Sequence, residues 1–306
     1  MSCSCSVGLG NLGLPNCVPM NEIPVGFLFQ KTYNSAGVRN SLLGSSISTA
    51  DYLNDLVNDS DESVRLFPMQ DIAEGVSERA DSVFYTDSLG VNHFIKEGER
   101  TYIGEKVTGA TPLLVKKAQT FQCNQMSVYV LGHKGGIFGD STAEGVLNGF
   151  EIVRGSLDVR FVMMSASKSA HLPIMFTLAD TIEDGNIKKF ESEDITDNAK
   201  QLGGLLDVNA VITNESTTTA TATIKMEYGT AKSLTLVEGL VVADFVLAEL
   251  TPTPATITIT SVTETSAGVY DIVFPTETSA DVLNLTLSST GYGKGYDLNT
   301  ASITIP

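Results

Sequence analysis

Apolar and polar residues alternate with the period of two expected of half-buried strands through much of this chain, and a helical period is rare. Residues 82–85 and 91–95 flank Asp87-Ser-Leu-Gly90, a tetrad of residues that accept local hydrogen bonds or tolerate positive φ, which predicts a hairpin. Residues 126–131 and the run after Ile137 flank Gly132-His-Lys-Gly135-Gly136 in the same manner. Leu157, Val159 and Phe161 alternate with Asp158 and Arg160, the pattern of another half-buried strand. Two helices interrupt the strands. Thr111-Pro112 before LLVKKAQTF supplies an N-cap and a proline at the first helical position, with Leu114, Ala118 and Phe121 on one stripe. Residues 48–59 put Tyr52, Leu53, Leu56 and Val57 on one face. Further along, strand patterns fall at 220–228, 233–237, 245–247, 255–262, 269–274, 283–287 and 302–305.

Composition divides these elements into two groups. Up to Gly204 there are 16 Lys and Arg against 25 Asp and Glu; beyond it only Lys225, Lys232 and Lys294 face 11 acids. Thr occurs 11 times before Leu205 and 21 times from there on. The expected organisation is an arm over residues 1–20, a β-rich assembly domain over 21–204 and a second domain over 205–306, with the boundary on the Gly203-Gly204 pair. The fold class is mainly β: a β-sandwich or barrel with one or two packed helices, followed by a C-terminal immunoglobulin-like β-sandwich. Thr265-Ser-Ala-Gly-Val-Tyr270 reads as the turn and tyrosine corner of such a sandwich, although the chain has no Trp and no Cys pair for an inter-sheet disulfide.

Length agrees with two cores: the chain has 306 residues, enough for two independently folded domains. The formal net charge of −17, at only 18% charged residues, removes a class of function. Phosphates are gripped by Lys and Arg, and this balance repels a polyanion on average, so contact with DNA should be non-adhesive. No run approaches the roughly 20 apolar residues of a membrane span; the most apolar stretch, 234–250, is broken by Glu238, Asp244 and Glu249. The first residues lack the basic segment and solid apolar core of an export signal, and the chain from Val18 onward holds only Cys123, which points to a reducing compartment.

Candidate chemistry is sparse, and each motif has a plainer explanation. Gly8-Leu-Gly10-Asn-Leu-Gly13 satisfies a dinucleotide fingerprint, but no strand precedes it and Pro15 blocks the helix that should follow, so it reads as an arm. Cys3, Cys5 and Cys17, with Cys123 as a fourth thiolate, match no common zinc spacing. His93, His133 and His171 accompany no Gly-x-Ser-x-Gly elbow and read as strand and loop residues. The acidic clusters at 59–62, 183–184 and 191–194 lack the alternating ligand spacing of a calcium loop and read as solvated turns. Neither a catalytic set nor a cofactor or metal site is expected, and the chain is read as a non-enzyme. Gly291-Tyr-Gly-Lys-Gly-Tyr296 places Tyr292 and Tyr296 on a Gly-rich loop as candidate surface recognition residues, with rings suited to stacking on sugars.

Several stretches of the first domain carry a family resemblance: Glu78-Arg-Ala-Asp81-Ser-Val-Phe-Tyr85 leading into a hairpin, Glu97-Gly-Glu-Arg-Thr-Tyr102, the Thr111-Pro112 helix, and the 126–131 strand with its Gly turn. In that order they resemble the major tail tube proteins among the virion structural proteins of tailed bacteriophages, and residues 205–306 resemble the immunoglobulin-like domains that decorate phage tubes and capsids. The resemblance implies a homo-oligomeric ring, commonly a hexamer, stacked into a tube whose acidic channel passes DNA without specific binding. It implies other virion proteins as partners, no membrane, residence in the virion and assembly in the host cytoplasm. The arm would tie subunits together. A capsid, decoration or head-to-tail connector role is the alternative within virions; a carbohydrate-binding or adhesive module acting through the C-terminal sandwich is the alternative outside that class.

Overall fold

The computed structural model describes residues 22–230, 233–249 and 255–306. The chain is mainly β, built from sheets that pair into sandwiches, as the alternation predicts. It gathers into two compact units. The residues up to Ala50 belong with Met69–Gln201, and Asp51–Pro68 belongs with Leu202–Pro306. The second unit therefore takes in a piece of chain that composition assigns to the first domain.

In the first unit, one sheet runs through Ser41–Leu43, Val146–Asn148, Ile137–Ala143, Met126–Gly132 and Pro24–Lys31. Phe150–Glu151 pairs in addition with Met126–Gly132, and Ile187–Phe190 with Ile137–Ala143. Phe27, Leu28 and Phe29 are all wholly buried, as are Val128 and Tyr129 on the neighbouring strand. Both faces of this sheet are thus covered, which is why its strands read as continuous apolar runs. A second sheet runs through Asp158–Val159, Leu172–Leu178, Arg100–Lys106 and Ile72–Arg79. It turns Ile174 and Phe176 inward and Met175 outward. The two sheets meet on aromatic rings: Phe176 lies edge-on to Phe27 at 5.0 Å between centroids and stacks on Tyr102 at 5.6 Å.

The helix Pro112–Phe121 forms as its cap dictates, with Thr111 Oγ1 accepting from the Leu114 amide at 3.3 Å. Ala118 is buried and the Phe121 ring lies 5.9 Å from that of Phe29. The helix expected over 48–59 is shorter. Asp51 takes a left-handed conformation (φ 64°), so the helix starts only at Tyr52 and ends at Val57. The expected strand at Leu157, Val159 and Phe161 reduces to Asp158–Val159, though Leu157 and Val159 are buried.

The second unit is a two-sheet sandwich. One sheet runs through Ser261–Ser266, Val269–Val273, Thr219–Gly229, Leu206–Thr213 and Tyr296–Leu298, with Leu234–Leu236 also on Thr219–Gly229. The other runs through Ala255–Ile257, Phe245–Glu249, Val282–Leu287 and Ala301–Thr304. Ala222, Ile224, Tyr270 and Ile272 from the first close on Leu247, Leu283, Leu285 and Ile303 from the second. The single strand expected over 255–262 is two strands, one in each sheet, with the chain crossing between them at 258–260. Leu206–Thr213 and Tyr296–Leu298, which the pattern did not mark, pair in parallel.

Tyr270 is wholly buried, but it does not make the corner its sequence context suggests: its hydroxyl donates to the Val237 carbonyl at 2.8 Å and accepts from the Leu240 amide at 3.2 Å, partners 33 and 30 positions upstream instead of in the backbone just before it. Burial pushes its pKa up. Tyr270→Phe keeps the ring and strands those two buried backbone groups, so it should cost about 1–2 kcal/mol, read as a lower urea midpoint with an unchanged slope.

Candidate functional site

Beyond the four-strand sheet, the strands Ile72–Arg79 and Arg100–Lys106 continue into a free two-stranded ribbon, Val83–Thr86 paired with Asn92–Lys96. Asp87 builds its tip. Its Oδ1 accepts from the amides of Leu89 (2.9 Å) and Val91 (3.0 Å), its Oδ2 lies 2.9 Å from His93 Nε2, and Gly90 takes the positive φ of 80° that closes the turn. The bond with His93 and those from the backbone lower the pKa of Asp87. The turn is therefore held while Asp87 is ionised, from its ordinary range upward, and is released as pH falls through the lowered value.

The ribbon exposes what strands normally hide. Phe84 and Phe94 face each other across one side at 5.8 Å, and Tyr85 lies against His93 on the other at 6.4 Å. Val83, Phe84, Tyr85, Leu89, Val91, Phe94 and Ile95 are 41 to 87% exposed. An isolated hairpin is at best marginally stable, and a contiguous exposed apolar patch marks a contact surface. At the root, Ala80 donates to the Glu99 carbonyl at 2.9 Å, and a Cβ on Gly98 would collide with the Ala80 carbonyl. Arg79 is ion-paired with Glu97 and, at 2.8 Å, with Asp184, which also holds Arg100. These pairs sit at the root of the ribbon and join it to the turn Asp184–Asn186.

A second polar cluster holds the start of the described chain. Glu22 is bonded to Lys189 Nζ at 2.9 Å and accepts from the Lys134 amide at 3.2 Å; Lys189 also meets Glu191 at 2.8 Å. Burial alone would raise the pKa of Glu22, but the bonds from Lys189 and from the amides of Lys134 and Gly136 outweigh it and lower it. A carboxyl lowered in the folded state contributes stability above its ordinary value of about 4.3, and that contribution is lost as pH falls through the lowered value. Glu22→Gln should therefore flatten the acid limb of stability below about pH 4.5, which urea melts at pH 7 and pH 3.5 would show.

The other residues singled out in the sequence are scattered. His93 is on the ribbon; His133 Nδ1 accepts from the Ile23 amide at 3.0 Å; His171 is buried, its Nδ1 3.0 Å from the Ser169 carbonyl. Each serves a local hydrogen bond. Cys123 is free and exposed, whereas Cys3, Cys5, Cys17, the Gly8–Gly13 motif and the arm lie outside the described residues. The acidic clusters form turns and ion pairs: Asp59 Oδ1 accepts from the Asp61 amide, Asp194 Oδ2 from the Glu191 amide, and Asp184 binds two arginines. Among the described residues no three His, Cys, Asp or Glu side chains gather as a metal site would need, and no helix is long and apolar enough to cross a membrane.

Tyr292 and Tyr296 are both half-buried. Tyr292 sits in the short helix Ser289–Gly293 with the Arg65 guanidinium over its ring at 5.2 Å, and burial raises its pKa. Arg65 is itself buried, pairs with Asp297 at 2.6 Å and donates from Nε to the Asp59 carbonyl. Tyr296 packs against the sandwich core from the strand Tyr296–Leu298. One face of the Tyr292 ring is thus already taken by a cation. Sequence reasoning missed Arg65, whose partner lies 232 positions away, and the ribbon's exposure, since its alternation is that of any half-buried hairpin.

No family model matches the chain, and no curated protein matches it. Among solved structures, the chain is similar to a chain of the cryo-EM structure of the anti-feeding prophage baseplate, 6-fold symmetrised. The two share 10% identity over 57% of this chain and 99% of that one, with a TM-score of 0.24, a likeness too slight to carry an argument about role.

Proposed function

We propose that this chain is a structural, non-catalytic virion subunit of a tailed phage that assembles with copies of itself into rings stacked as a tail tube. The observation that carries the reading is the apolar ribbon over residues 82–96, a surface whose exposure is costly to a lone molecule and useful to an assembly. The four-strand sheet adds to it, because Asp158–Val159 and Ile72–Arg79 end that sheet on its two sides and leave strand edges for a neighbour to pair with. A net charge of −17 suits a tube through which DNA passes without sticking. On this reading the ring is a hexamer, other virion proteins cap the tube, and the second unit is an immunoglobulin-like domain displayed on its outside. Negative-stain electron microscopy over a concentration series tests the proposal. Stackable rings or hollow tubes are the expected result; closed shells or twelvefold rings would move the chain to a capsid or connector role, and dispersed monomers at every concentration would refute self-assembly.

A further inference from the structure

Lys189 holds a primary amine away from water between two carboxyl groups. Its side chain is 3% exposed and that of Glu22 is 1% exposed. Nζ lies 2.9 Å from Glu22 Oε1 and 2.8 Å from Glu191 Oε2, and it stands over the Phe138 ring at 5.6 Å. The other oxygen of Glu22 accepts from the Lys134 amide at 3.2 Å, and the Gly136 amide donates to the same carboxyl. Gly132 leaves room for this cradle, since a Cβ there would strike the Glu22 carboxyl. A plain ion pair needs one carboxylate and no cradle. The fuller set supplies a nucleophile, a carboxyl carbon, a proton carrier, and donors for the oxygen on which charge develops, which are the parts of a condensation site. A nitrogen bonded to one carboxyl oxygen also stands close to the about 3–3.5 Å from its carbon at which attack needs little further approach.

We propose that Lys189 and Glu22 join in an isopeptide bond, formed once by the folded chain with Glu191 as proton carrier. The proposal goes beyond the assembly reading and does not depend on it. One proton passes from Nζ to Glu22 Oε1 along their hydrogen bond, leaving an amine and a carboxylic acid. The Nζ lone pair attacks Cδ, and the carbonyl electron pair moves onto Oε2, where the Lys134 amide receives it. Glu191 takes a second proton from nitrogen and gives it to the Oε1 hydroxyl, which leaves as water when its bond to Cδ breaks. An ammonium and a carboxylate have become an amide and one water, with no oxidant or co-reactant. The acid limb predicted above for Glu22 therefore belongs to the chain before the bond forms. Lys294 and Asp244 in the second unit stay an ion pair, because the other bond of Lys294 Nζ goes to the Gly239 carbonyl, which takes no proton. The new bond fastens residues 167 positions apart, so pull on the chain before Glu22 reaches the strand Ile187–Phe190 through a covalent link.

Mass spectrometry of the denatured full-length chain, followed over days at neutral pH and completed by proteolytic mapping, tests this. The expected wild type becomes lighter by one water, with the peptide bearing Glu22 joined to the peptide bearing Lys189. Lys189→Arg keeps the charge but offers no amine, and its mass should not change. Glu191→Gln alters only the carrier, on a side chain 41% exposed, and should slow the loss of water by about 100-fold or more. Wild type that keeps its full mass, or that loses water at another pair of residues, would overturn the proposal whatever the variants do. Loss of water in Lys189→Arg would overturn it too, and loss in Glu191→Gln at the wild-type rate would remove Glu191 from the step. Thermal midpoints of both variants, measured alongside, show whether each is folded; a Lys189→Arg chain that does not fold leaves the wild-type map and Glu191→Gln to decide.

Discussion

Phe176→Ala should come close to unfolding the first unit. The ring touches three others from both sheets, Phe27 at 5.0 Å, Phe29 at 5.9 Å and Tyr102 at 5.6 Å, and is wholly buried. Truncating a buried Phe costs about 3–5 kcal/mol, through lost transfer energy and the cavity left behind. Each edge-on or stacked pair adds about 0.5–1.5 kcal/mol in favourable geometry. Against a typical domain stability of about 5–15 kcal/mol, that is a large share. The urea midpoint of this unit should fall by about 2 M. Phe94→Ala is the matched comparison: its ring is 42% exposed and meets one other ring, Phe84 at 5.8 Å, so the same chemical change on the ribbon should lower the midpoint by well under half as much. Equal effects from the two would mean that the core described here does not hold the unit together.

Lys294→Met should have the second largest effect, in the other unit. Asp244 is a carboxylate with a 2% exposed side chain; its Oδ2 accepts from Lys294 Nζ at 2.6 Å and from the Val241 amide at 2.7 Å. Lys294 also reaches the Gly239 carbonyl at 2.7 Å, so one ammonium ties together the turn before Phe245–Glu249 and the helix before Tyr296–Leu298. Removing one partner of a buried pair leaves the other charge without compensation, which costs about 3–5 kcal/mol when both are buried. Lys294 is 37% exposed, so about 2–3 kcal/mol is expected, seen as a loss of thermal midpoint. Adding Asp244→Asn should recover part of that loss, because the double variant buries no charge. No recovery would show that Lys294 acts by packing its stem and not by its charge.

What the chain revealed in advance follows from the range of each interaction. The hairpin tip was legible because Asp87 and Gly90 settle it within four residues, and the helix at Pro112 because Thr111 caps it locally. The Thr-rich change at residue 204 falls close to Leu202, where the second unit resumes, but composition could not show that Asp51–Pro68 belongs with it. That attachment runs through Arg65 and Asp297, and one arginine in a stretch of acids carries no local mark of a distant partner. The alternating Thr and Ile over 256–260 suggested an unbroken strand because the period of two continues while the chain changes sheets. Tyr292 and Tyr296 had the look of a display loop; their half-burial depends on Arg65 and on the packed sandwich, neither of which a Gly-rich sequence announces.

The parallel pairing of Leu206–Thr213 with Tyr296–Leu298 has a mechanical consequence. Within Leu202–Pro306 the first of these strands comes first along the chain and the second comes next to last. Tension between the two ends of the unit draws parallel neighbours in opposite directions along their length, so the bonds from Leu206–Tyr296 to Val208–Leu298 are strained side by side in shear and not peeled one after another. A domain fastened in this way yields late when pulled end to end.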